Sequence, residues 1–153
     1  MLLNILDTFF TFGGVAVLIS IIVFIAMMLF SKRLNLTTIL SMIVIFVVTL
    51  VVMFSFPSAA RYEIRKKLSV EVISVESSGT VNNTKVVEEL KKISFKIAKN
   101  SHPLERFRFK VQTKAEDIHF ELARDSNDSS VYWVFYPAYR AGRTNPVGKI
   151  ILK

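Results

Sequence analysis

The chain has no cysteine. That absence removes disulfide frameworks, iron–sulfur clusters, cysteine-ligated zinc and thiol catalysis together. Glycine and histidine are scarce as well. Gly13, Gly14, Gly79, Gly142 and Gly148 form neither a G-x-G-x-x-G turn nor a phosphate-binding loop, so nucleotide binding has no motif. His102 and His119 stand far apart, no H-E-x-x-H occurs, and no G-x-S-x-G elbow presents a serine nucleophile. Charge is nearly missing from the first third. Of 20 Lys and Arg only Lys32 and Arg33 precede residue 57, and of 12 Asp and Glu only Asp7 does.

The uncharged third is hydrocarbon. "FTFGGVAVLISIIVFIAMMLF", residues 10 to 30, and "TILSMIVIFVVTLVVMFSF", residues 38 to 56, contain no charged side chain. As helices rising about 1.5 Å per residue, each reaches about 30 Å, the thickness of a bilayer's hydrocarbon core. Residues 1 to 60 therefore read as a transmembrane helical hairpin closed by "SKRLNLT", with both chain ends on one side of the membrane. A cleaved signal peptide fits poorly. The first run lacks a basic flank, and the second, although followed by "PSAA", is too long.

Gly13, Ala16 and Ser20 make a strip of small side chains where a second helix packs closely. The expected occupant is the other helix of the hairpin, with a second copy of the chain, and hence a homo-oligomer, as the alternative. No ionisable group lies inside either run, which argues against an ion pathway or proton relay. Arg61, Arg65, Lys66 and Lys67 follow the second run, against Lys32 and Arg33 in the loop. The expected location is a bacterial inner (plasma) membrane, and this asymmetry favours both termini in the cytoplasm, although the first run taken alone points the other way.

Residues 61 to 153 read as an extramembrane α+β domain of β-α-β-β-β-β order, one helix on an antiparallel sheet. A first strand is expected from Ile64, where Leu68, Val70 and Val72 alternate with Ser69 and Glu71. Asn83 or Thr84 then caps a helix running to about Lys99, with Val86, Leu90, Ile93 and Ile97 on one face. "RFRFKVQ" and "IHFELAR" alternate strictly and form a hairpin with one apolar face. In "VYWVFYPAYR" the alternation places Val131, Trp133 and Phe135 on one face and Tyr132, Val134 and Tyr136 on the other; with the first set packed on the helix, Tyr132 and Tyr136 are the exposed remainder. "GKIIL" closes the sheet.

Several constellations could carry function. "DSNDSS" matches the start of a calcium loop, but Ser130 replaces the required Gly and Tyr136 the bidentate Glu, so a solvated turn is the better reading. His119 and Glu121, two residues apart on one strand face, are the single conceivable acid–base pair. Arg106, Arg108 and Lys110 form a basic stripe, and the loop 137 to 148 offers Tyr139, Arg140 and Arg143. With Tyr132 and Tyr136 these make the candidate interaction surface. Nucleic acid is not the expected partner, because the RNA-recognition signature needs glycines that "RFRFKV" lacks. The sequons at Asn35, Asn82 and Asn127 are short enough to arise by chance.

The expectation is a two-pass membrane protein, without catalysis, cofactor or metal, whose domain is an accessory or regulatory module. Its partners are the bilayer itself and either another membrane protein or anionic headgroups. A membrane-bound enzyme using His119 and Glu121 is the alternative from a different class.

Overall fold

The computed structural model describes residues 2 to 30, 36 to 94 and 100 to 152. The hairpin loop with Lys32, Arg33 and the Asn35 sequon lies outside the described residues, as do Ile97 and Lys99. The elements are α1 (Leu2–Phe30), α2 (Leu36–Leu68), β1 (Val72–Ser77), α3 (Asn83–Leu90), β2 (Pro103–Thr113), β3 (Asp117–Asp125), β4 (Val131–Phe135), α4 (Arg140–Thr144) and β5 (Gly148–Ile151). They form two compact units, Met1–Phe56 and Pro57–Lys153.

In the first unit both helices are long and apolar enough to cross a membrane. Large apolar side chains face outward all round, Ile22 at 64% and Phe54 at 76% exposure. A water-soluble helix keeps such a surface covered. The few hydroxyls turn inward on their own helix, Thr11 Oγ1 donating to Asp7 O at 2.8 Å, Ser20 Oγ to Ala16 O at 2.8 Å and Thr49 Oγ1 to Ile45 O at 2.9 Å. Each polar group is thereby satisfied without water. Between the helices the Phe10 and Phe56 rings lie 5.4 Å apart, and a Cβ added at Gly13 would stand 3.3 Å from Thr49 Cγ2.

The second unit is a five-stranded antiparallel meander in the order β1-β2-β3-β4-β5. Its hairpin register sets Phe109 against Phe120 and Val111 against Ile118, so these side chains share one face and are all buried. Val86, Val87 and Leu90 of α3 bury their side chains there too.

Four local expectations are corrected. No strand begins at Ile64, because α2 continues through Pro57 to Leu68. Ala60, Ile64 and Leu68 recur every fourth residue and are completely buried, a helical face that the alternation around Leu68 conceals. Ser69 closes the helix by donating from both its backbone N and its Oγ to Lys66 O, and β1 starts only at Val72.

The helix expected to run to Lys99 stops at Leu90, and its cap is Asn82 rather than Asn83 or Thr84, with Asn82 Oδ1 accepting from Lys85 N at 3.1 Å. Tight turns follow, and Ser94 then pairs with Lys149, its carbonyl accepting from Lys149 N at 3.0 Å. The backbone is drawn to the edge of β5, whose open N–H and C=O groups outcompete further helix. Ile93 stays buried by this route.

The parity of the aromatic strand is opposite to the expectation. Val134 pairs with Leu122, and Tyr132 with Ile150, so Tyr132 and Val134 lie on the core face while Trp133 and Phe135 lie on the other. A short helix, α4, also interrupts the late loop. It fits because residue 142 is Gly: its carbonyl accepts from Tyr136 N at 3.0 Å, and an added Cβ would come within 2.2 Å of Tyr136 O.

A chain beginning at Pro57 is expected to give a cooperative unfolding transition, and one beginning at Ser69 to give none, read by circular dichroism in urea. Within the former, Ile64→Ala costs about 2–5 kcal/mol, as for other truncated core side chains.

Candidate functional site

The face of the sheet turned away from α3 carries the basic stripe. Register sets Arg106 opposite Ala123, Arg108 opposite Glu121 and Lys110 opposite His119. Only part of the stripe is available. Arg106 donates from Nη1 to Glu121 Oε2 at 3.3 Å and to Arg143 O at 2.6 Å, and its guanidinium lies 3.6 Å over the Phe135 ring. It therefore ties the β4–β5 connection to the sheet. Lys110 is paired with Asp117 at 2.8 Å, and that carboxylate raises its pKa. Arg108 is exposed, while its backbone N–H is fixed by Ser78 Oγ at 3.0 Å.

Arg108, Lys110, His119, Glu121 and Pro137 line one shallow cavity of about 240 Å³. Arg143 stands at the same connection, its Nε donating to Pro137 O at 3.0 Å. The structure thus brings the stripe and the late loop, separate in sequence, onto one open face. Arg140 is exposed on α4. His119 is exposed, and Glu121 directs its carboxylate to Arg106. Chemically this is a mainly basic strand surface with the Glu121 carboxylate set among the cations, suited to a partner segment with charges of its own.

The tyrosines do not join it. Tyr136 was expected to be exposed and is 1% exposed, stacked on Phe120 with ring centroids 5.6 Å apart. Its hydroxyl donates to Glu63 Oε1 at 3.0 Å, and that of Tyr139 to Glu63 Oε2 at 2.8 Å. Burial, then the Glu63 charge, pushes the Tyr136 phenol up to about 12, and burial and the bond to Glu63 raise Tyr139 as well. Lys67 bridges Glu63 at 3.3 Å and Glu116 at 2.8 Å. Tyr132 is half-buried, edge-on to Phe107 at 6.2 Å. Glu63 escaped sequence reasoning because the helix was expected to end at residue 56. Its i,i+4 pairing with Lys67 was the available signal.

A second polar cluster, also unforeseen, sits on the same sheet face as the stripe, where Trp133 pairs with Ala123 and Lys149. The carboxylate of Asp125 accepts from Asn127 N at 3.0 Å, Ser101 Oγ at 2.8 Å, Trp133 Nε1 at 2.9 Å and Lys149 Nζ at 2.9 Å. Lys149 Nζ also lies 3.6 Å over the Trp133 ring. Both ions of the pair are buried. Burial alone would raise the Asp125 pKa, but the Asn127 N–H and the Lys149 ammonium hold it well below the usual carboxylate range. The first acidic group of "DSNDSS" is thus turned into the fold.

Comparison with known proteins found no family model, no curated protein and no solved structure that matches the chain.

Asp125→Ala is expected to cost about 3–5 kcal/mol by stranding Lys149, read as a shift in urea midpoint. Because its folded pKa is depressed, the contribution of Asp125 is present above the unfolded carboxylate value of about 3.9 and is lost as pH falls through the folded one. Tyr136 works in the opposite sense: raised from about 10 to about 12, it contributes below about pH 10 and loses that contribution as pH rises through 12. Tyr136→Phe should therefore flatten the alkaline fall in stability.

Proposed function

We propose that the protein is a two-pass integral membrane protein whose α+β domain is a non-catalytic docking module for another membrane protein. The supporting observation is the division of labour among its charged groups. Glu63, Lys67, Asp125 and Lys149 are drawn into internal clusters, while Arg108, His119 and Arg143 stand exposed around one open sheet face beside the surface pairs Lys110–Asp117 and Arg106–Glu121. A mainly basic surface with one carboxylate among its cations gives register and orientation to a partner more than raw affinity, as an accessory subunit requires. In a bacterial inner membrane, Arg61, Arg65, Lys66 and Lys67 just after the second run, against Lys32 and Arg33 in the hairpin loop, favour both termini in the cytoplasm.

An enzyme built on His119 and Glu121 is the weaker reading. Glu121 is engaged by Arg106, so the carboxylate that would orient or relay for His119 is already committed. Assembly of copies through Gly13, Ala16 and Ser20 is likewise less favoured, since Gly13 already meets Thr49 of the same chain.

A photo-reactive residue in place of His119 should give one dominant protein adduct in native membranes, and the same probe at the exposed Lys91 should not. Adding Arg108→Glu and Lys110→Glu should abolish the adduct with Arg106 left in place. An adduct that persists in the charge-reversed protein would remove this face from consideration.

A further inference from the structure

Beyond Pro57, α2 has two unlike sides. Ala60, Ile64 and Leu68 are wholly buried, whereas Ser58, Tyr62, Lys66 and Ser69 follow one another at three- and four-residue spacing along the other side and are exposed. Tyr62 is out of keeping with its unit. Phe109, Phe120, Phe135 and Tyr136 are at most 1% exposed, while Tyr62 is 71% exposed. A ring of that size standing clear of its own fold calls for an outside environment that is apolar at one end and wet at the other.

Position along the helix supplies that environment. Tyr62 comes six residues after Phe56, the last of the uncharged run, which is about 9 Å of helix rise. The polar layer flanking a bilayer's hydrocarbon core is about 5–8 Å thick on each side. Cα–Cβ bonds on a helix tilt toward its N-terminus, which lets the ring of Tyr62 and the stem of Lys66 reach back along α2. A tyrosine so placed sets its ring at the hydrocarbon border and its hydroxyl among headgroups. The charge is of one sign. Lys67 is neutralised by Glu63 and Glu116, but Lys66 is exposed, and Arg65 spends one nitrogen on Ile93 O and keeps its other donors.

We infer that the face of α2 bearing Tyr62, Arg65 and Lys66 binds the anionic phospholipid headgroups of the bilayer in which the helix is embedded. The inference rests on residues 38 to 56 spanning that bilayer. Arg65 and Lys66 supply the donors and positive charge a lipid phosphate takes, and Tyr62 fixes the depth at which they meet it. The surface is distinct from the open sheet face, so the module has separate lipid and protein contacts.

The cysteine-free chain permits a clean test in full-length protein. Single nitroxides are introduced by Tyr62→Cys and, separately, Val47→Cys, and the protein is reconstituted in nanodiscs of phosphatidylcholine with phosphatidylglycerol. Collision rates with oxygen and with an aqueous nickel chelate, calibrated on headgroup-labelled lipid, give the depth. The expected result is position 47 in hydrocarbon and position 62 at headgroup depth. In the same discs Lys66→Gln should lower the preference for phosphatidylglycerol over phosphatidylcholine by about fivefold, the equivalent of about 1 kcal/mol for one basic group. A water-like nitroxide at 62 with 47 in hydrocarbon overturns the inference alone, as does an unchanged lipid preference in Lys66→Gln. A water-like nitroxide at 47 overturns the membrane-spanning reading and this inference with it.

Discussion

Helix α2 cannot stop where its uncharged run stops, because Ala60, Ile64 and Leu68 complete the core of the unit that follows. Each is fully buried, and with them the helix brings four polar side chains that the unit uses. Arg61 donates to Val147 O at 2.7 Å and Arg65 to Ile93 O, so two backbone carbonyls in connections of irregular structure are satisfied by guanidinium groups. Glu63 accepts both phenols, and Lys67 ties Glu63 to the β2–β3 turn through Glu116. Remove this stretch and the sheet loses its packing partner and the anchors of three loops at once.

The same dependence determines how the group of basic residues just past the apolar run is used. Charges at that position are ordinarily available to headgroups, and sequence alone weighs all four equally. Arg61 and Lys67 are engaged inside the unit, whereas Arg65 spends one nitrogen there and Lys66 stays exposed. The surface stripe on β2 behaves likewise, with Arg106 and Lys110 paired and Arg108 left over. Net charge therefore overstated how much of the molecule is offered to partners.

What was legible in the sequence was whatever period alone decides. The two uncharged runs, the β2–β3 hairpin and the antiparallel sheet follow from local spacing, and Phe109 facing Phe120 is where the alternation put it. What was hidden depends on partners distant in the chain. The end of α3 is set by Ser94 pairing with Lys149, a choice that no residue near Leu90 announces. Which face of "VYWVF" is inside is decided by Val134 meeting Leu122, since either parity would bury large apolar groups. On the face assigned wrongly, Arg106 and Lys149 cover Phe135 and Trp133, so cations take the place expected of a helix. For the candidate site, the members were legible but their grouping was not. The open face exists because the 137 to 148 connection folds back on β2 through Arg106 and Arg143.

The hydroxyls of the first unit carry a consequence for recognition. Ser20 and Thr49 return their protons to their own helices, so the surface each helix offers its neighbour is hydrocarbon in effect. Gly13 then meets a methyl group, with little room for even one more carbon. At that contact the fit between the two helices is set by the size of the side chains that meet rather than by their polarity.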